Sequence, residues 1–103
     1  MKLVSIDHYP GREFEVLGIV KGTTVQTKHL GKDFMAAMKT LVGGELTGYT
    51  EMLNEARQIA TKRMVDEAEA LGADAIVGVR YGSSQIMASA AEVIAYGTAV
   101  KFI

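Results

Sequence analysis

The residues of this 103-residue chain that could do chemistry are few and scattered. His8 and His29 are the two imidazoles, and with Glu92 they make up the candidate metal ligands. Glu45, Tyr49, Glu51 and Arg57 crowd the segment GGELTGYTEMLNEAR, where a carboxylate, a phenol and a guanidinium could line a polar pocket or tie subunits together. Glu92 opens the run EVIAYGTAV, otherwise apolar, aromatic or small. A carboxylate in that setting must find a partner such as Arg57 or Arg80, because an unpaired buried charge is costly. Repeated around an oligomer axis, it would instead form an acidic ring able to hold a cation.

Soft heavy metals favour thiolate and imidazole. The chain has no cysteine, and its two histidines fall in different predicted loops without an HxxxH-type spacing. Of the six methionines, Met35, Met38, Met52 and Met64 take core positions on helices, where methionine fills gaps. Both histidines therefore read as loop residues, and a divalent metal ion is the one cofactor left open. The glycines of GGELTGYT could present backbone N–H groups to an anion. A Walker loop, however, follows a strand and carries Lys-Ser/Thr, and here the glycines follow a helix and no lysine comes after them. Ser83 and Ser84 lack a GxSxG context, and no two carboxylates are spaced as an acid/base pair. The residues point away from an enzyme.

The elements that must position these groups follow from pattern. With 49% hydrophobic and 22% charged residues, net charge −1 and pI near 6.1, the chain reads as one globular domain over residues 1–103. Nothing in that charge draws it to nucleic acid or an anionic membrane. The N-terminus lacks the apolar core of a signal peptide, and no run reaches the ~20 residues that span a bilayer. A cytoplasmic protein is expected.

Phe14 to Gln26 is rich in β-branched residues and reads as the first strand, with Gly18 and Gly22 marking bulges or a bend. A short helix is expected from about Lys32 to Leu41. A long one follows from Thr50, its N-cap, to Leu71, with Glu51 in the first turn and Gly72 just past the end. Met52, Leu53, Ala56, Ile59, Ala60, Met64, Ala68 and Leu71 make its apolar stripe. Arg57 lies off that stripe, and Arg63 could pair with Glu67 one turn on. Strands are expected at Asp74–Ser83 and Ala91–Ile103, with Ser84–Ala91 either a loop or a backward extension of the last strand.

A right-handed crossover makes the first two strands parallel, and placing the last between them makes every neighbouring pair antiparallel. The expected fold is therefore an α/β two-layer domain. Its three-stranded, mainly antiparallel sheet has order 1-3-2 and carries one long and one short helix. The helix can cover one face only, yet LGIV, AIVGV and VIAY are apolar at successive positions, as in strands buried on both sides. A second copy of the chain is the simplest cover, so a homo-oligomer is expected.

The combination VGGELTGYTEMLNEARQIATKRM, EALGADAIVGVRY and AAEVIAYGTAV resembles the YbjQ-like family, which carries a heavy-metal-binding label. The resemblance runs from Pro10-Gly11 to Val100. It implies a β-α-β-β subunit of dodecin-like fold, assembled as a homopentamer, and Tyr49, Glu51 and Arg57 match the family's YT and AR positions. The expected function is a non-enzymatic binding or assembly protein that takes a metal ion or small ligand at subunit boundaries. A scaffold that presents a surface to a protein partner is the alternative.

Overall fold

The computed structural model describes residues 1–27, 47–87 and 90–103. Among them the elements run β1 (Lys2–Leu3), β2 (Phe14–Thr27), α1 (Thr47–Ala70), β3 (Ala75–Met87) and β4 (Ala90–Phe102). The sheet has four strands in the order β1-β3-β4-β2. This corrects the three-stranded β-α-β-β expectation. The N-terminal Lys2–Leu3, too short to show a period, pairs in parallel with Ala75–Ile76. The segment after it continues along β3, with Val4 N–H donating to Ile76 O at 3.0 Å and Gly78 N–H to Ile6 O at 2.8 Å. The described residues contain one helix, α1; the expected short helix at Lys32–Leu41 lies outside them. The three long strands are arranged with β4 between β2 and β3, antiparallel to both.

Helix α1 begins at Thr47, three residues before the expected cap, so Thr50 and Glu51 lie inside the helix and not at its mouth. Its other end follows the sequence signal. Gly72 takes φ +78°, Ala73 N–H donates to Ala68 O at 3.1 Å, and Gly72 N–H donates to Glu69 O at 3.0 Å. This pair of bonds satisfies carbonyls the helix leaves open, and a left-handed residue there is easiest for glycine. Asp74 then fastens the start of β3 to the end of β4, its carboxylate accepting from Phe102 N–H at 2.8 Å.

The helix-facing core is built from small residues. Met52, Ala56, Ala60, Met64 and Ala68 are buried along α1, against Val20, Ile76, Val79, Val93, Ala95 and Ala99 of the strands. Gly22 of β2 is the point of closest approach: a Cβ there would run into the backbone of Ala60 and Met64. So Gly22 marks not a bulge but the seat of the helix. The break in β2 falls instead between Val16 and Gly18, and a second one lies in β3 between Val77 and Arg80. Each shifts the alternation by one residue and so changes which residues face the helix.

The opposite face has its own smaller core at one end. There Ala75, Val77 and Val100 are buried under Val4, Tyr9, Phe14 and Phe102. The Tyr9 ring packs tilted, 56° off the plane of Phe102 and 4.8 Å from its centroid, and the Arg12 guanidinium lies 4.1 Å over the Phe102 ring. Beyond this N-terminal cover no described residue packs over the face. Ile19 is 78% exposed, Val25 53% and Tyr96 42%.

Candidate functional site

Strand length creates the site. At ~3.3 Å per residue the 13 residues of β3 extend over roughly 43 Å, whereas the 24 residues of α1 reach about 36 Å at ~1.5 Å each. The helix rides over β2 and β4 and barely meets β3. Between its N-terminal half and the far part of β3 a cleft of about 200 Å³ remains, lined by Leu53, Arg57, Tyr81, Gly82, Ser83 and Val93.

Arg57 is the one charge among the described residues of that lining. It lies on the exposed flank of α1, as its place off the apolar stripe requires, and its Nη1 donates to Asn54 Oδ1 at 2.6 Å, one turn back. A guanidinium has five N–H donors, so most of the fork stays available. Thr61 ties the cleft's two walls together. Its hydroxyl donates to Arg57 O at 2.7 Å and lies 2.8 Å from the Tyr81 hydroxyl. Thr61 has one hydroxyl proton, spent on the helix carbonyl, so Tyr81 must be the donor in the second bond. Tyr81 then keeps lone pairs and no proton to offer. Leu53 and Val93 supply an apolar floor, Leu53 half-buried and Val93 buried.

Of the expected site residues, Arg57 is the one that lines this cleft among the described residues. Glu51 is exposed on the helix, Tyr49 falls within the span of α1, and Glu45 and His29 lie outside the described residues. Tyr81, Ser83 and Val93 were not expected as partners of Arg57. They lie 24 to 36 positions away, and only the seating of α1 on the sheet joins them.

Glu92 is placed elsewhere. In β4 it pairs with Val25 and Ser84, half-buried on the face away from the helix, and makes no hydrogen bond or ion pair with a described residue. The expected partners are engaged otherwise. Arg57 belongs to the helix side, and Arg80 donates to Ser5 O at 2.6 Å and Val79 O at 3.0 Å. The Arg80 register position opposes Tyr96, four residues from Glu92 along β4, or ~13 Å. Arg63 also departs from expectation, reaching across to Thr23 O of β2 at 2.7 Å instead of pairing with Glu67. β2 ends the order of the sheet, so this guanidinium occupies a carbonyl on an edge strand.

His8 sits in a second, shallow depression with Ser5, Ile6, Asp7 and Arg80. Asp7 and His8 together offer two donors beside a fixed cation. Among the described residues no group of three or more His, Cys, Asp or Glu is placed to hold a metal ion.

Against known proteins, the family model described as "Putative heavy-metal-binding" matches residues 1–103. The chain belongs to the YbjQ family. A UPF0145 protein of Alkaliphilus metalliredigens is 61% identical over 103 residues, covering all of both chains. One from Fervidobacterium nodosum is 63% identical over 102 residues, covering 98% of this chain and 94% of that one. A crystal structure from Pediococcus pentosaceus, described as a protein with unknown function of the DUF74 family, superposes with TM-score 0.67. It covers 100% of this chain and 98% of that chain at 17% identity, so the likeness is one of fold. The YbjQ family's heavy-metal description finds no matching donor set among the described residues. Cysteine is absent from the sequence, and His8 lies beside Arg80. No helix among the described residues is long and apolar enough to cross a membrane.

Proposed function

We propose that this YbjQ-family chain is a non-enzymatic binding protein that acts as a homo-oligomer in the cytoplasm. Each subunit offers a ligand cleft at Arg57, and the pentamer implied by the family resemblance is the assembly to test first. The observation that carries the reading is the open sheet face. Val16 is 61% exposed, Ile19 78% and Val25 53%, on long strands whose other face is already packed against α1. Apolar side chains gathered on one face mark a contact surface, and a second copy of the chain supplies a surface of matching character.

A second reading rests on Glu92. As a half-buried carboxylate with no hydrogen-bond or ion-pair partner among the described residues, it would be repeated around any symmetric assembly that covers its face. Such a ring of carboxylate oxygens suits a hard divalent cation better than a soft heavy metal.

Native mass spectrometry of the purified protein, before and after incubation with Mg²⁺, Ca²⁺, Mn²⁺ and Zn²⁺, tests both. A single closed oligomer is expected. A monomer at micromolar concentration would overturn the assembly. One cation per oligomer, lost in Glu92→Gln, would establish the ring.

A further inference from the structure

We infer that the cleft between α1 and β3 is a binding site for a small organic monocarboxylate that carries a short apolar branch and one hydroxyl or ammonium donor. The inference rests on the binding reading above and deepens it by naming the ligand's chemistry.

Four observations set that chemistry. First, Arg57 is the one charged residue among the described residues of the lining, and none of these is a carboxylate. With one N–H committed to Asn54, the remaining donors can take a carboxylate in the two-bond geometry that guanidinium favours. A single cation balances a single negative charge, which favours a monocarboxylate over a phosphate dianion. Second, Leu53 and Val93 form an apolar floor beside that cation. A bare inorganic anion would leave the floor unused, whereas a branched aliphatic group would cover it. Third, proton bookkeeping makes Tyr81 an acceptor. Because Thr61 donates to Arg57 O, Tyr81 donates to Thr61, and its free lone pairs call for a donor on the ligand. The Ser83 hydroxyl, which bonds to no described residue, can meet either kind of group. Fourth, about 200 Å³ is on the order of seven waters at ~30 Å³ each, below the usual range for larger organic ligands. The size matches a short 2-hydroxy or 2-amino acid.

The test is a titration of the intact assembly, followed through the methyl NMR signals of Leu53 and Val93. Three probes are used: 2-hydroxyisovalerate, isovalerate, which lacks the donor, and isovaleramide, which lacks the charge. Saturable shifts are expected with 2-hydroxyisovalerate. Isovalerate should bind about fivefold more weakly, the scale of one net hydrogen bond, and isovaleramide at least tenfold more weakly. Arg57→Gln should weaken both acids tenfold or more. Tyr81→Phe should bring 2-hydroxyisovalerate down to the level of isovalerate and leave isovalerate unchanged, which a merely structural role for Tyr81 would not do. Equal affinity for acid and amide, or an Arg57→Gln variant that binds normally, would overturn the proposal. Sedimentation of the same samples separates the two readings. An intact oligomer whose methyls ignore all three probes overturns the ligand class alone. A monomer that still shows the acid-specific shifts overturns the assembly alone.

Discussion

The two faces of β4 differ in a way that runs against simple expectation. Toward the helix it presents Ala91, Val93, Ala95, Gly97 and Ala99, all buried. Away from the helix it presents Glu92, Ile94, Tyr96, Thr98, Val100 and Phe102, which are on average much larger. The covered side is the one with small side chains. This follows from how closely α1 is seated: Ala56, Ala60 and Ala68 meet the strands, and at Gly22 the helix backbone leaves no room for a Cβ. The large residues lie on the face that no described helix covers. One face is thus packed within the subunit, and on the other Ile19, Val25 and Tyr96 are exposed.

The contrast is most easily broken from the inside. Gly22→Ala puts a Cβ against the Ala60 carbonyl and Met64 amide, backbone atoms that no rotamer change can move. Overpacking of this kind costs about 3 kcal/mol. A fall in Tm of roughly 10 °C or more is expected for a chain of this size. The matched control is Gly82→Ala on the other face, where the added methyl lies 3.4 Å from Ile94 Cγ2 and meets no backbone. Calorimetry of the two variants checks the pair. Equal melting temperatures would mean that α1 is not seated where Gly22 says it is.

The outer face should give the converse result. Ile19 is 78% exposed in the subunit, so Ile19→Asp should barely change the stability of an isolated chain, within about 0.5 kcal/mol. In an assembly that buries this face, which also carries Val16, Val25 and Tyr96, the same charge should cost about 2 kcal/mol or more per subunit contact. Sedimentation velocity over a concentration series would show dissociation while the far-UV circular dichroism stays native. An unchanged oligomer would move the interface to another surface.

Much of the inner face was legible in the sequence, and the outer face was legible only as composition. The stripe Met52, Ala56, Ala60, Met64, Ala68 has a helical period and needs no partner to be seen. Gly72 announces its own cap, because few residues take φ +78° without strain. The start of the helix was misplaced because Thr47 and Thr50 carry the same capping signal, and the intervening Gly48 weakens the case for the earlier start. The strand ends were missed because Ser84 and Gln85 are polar and exposed, as in a loop, yet both lie in β3, paired with Glu92 and Ala91.

The site was harder to read for a geometric reason. Arg57 or Arg80 was expected as the partner of Glu92, but the placement of a strand residue depends on counting residues. The irregularities at Val16/Gly18 and Val77/Arg80 each alter that count by one. Tyr81 faces Thr61 of the helix only because the second of these precedes it. No local pattern in the sequence reports such a shift, although Gly78, at φ +63°, marks its place once the pairing is known.

A smaller effect sharpens the comparison at the one end of the outer face that the chain covers for itself. Arg12 lies 4.1 Å over the Phe102 ring, and Tyr9 packs beside it. Arg12→Ala should remove a cation–π contact worth about 0.5–1 kcal/mol at an exposed site. Urea unfolding of a variant held monomeric by Ile19→Asp would measure it without interference from assembly. A loss of 2 kcal/mol or more would show that the N-terminal cover folds cooperatively with the sheet and does more than shield its end.

The least sensitive place is the solvent side of α1. Lys62 and Asp66 form the one ion pair among the described residues, 2.9 Å apart, with side chains 76% and 55% exposed. Water and salt screen such a pair, and holding both side chains costs entropy, so Lys62→Ala should shift stability by about 0.3 kcal/mol. This small effect calibrates the larger ones, because assembly adds the test that matters. If the oligomer forms through the open sheet face, Lys62 stays in water, and the substitution remains near neutral at every protein concentration. A concentration-dependent loss of Tm in Lys62→Ala but not in Ile19→Asp would place the contact on the helix, and the large outward residues of β4 would need another explanation.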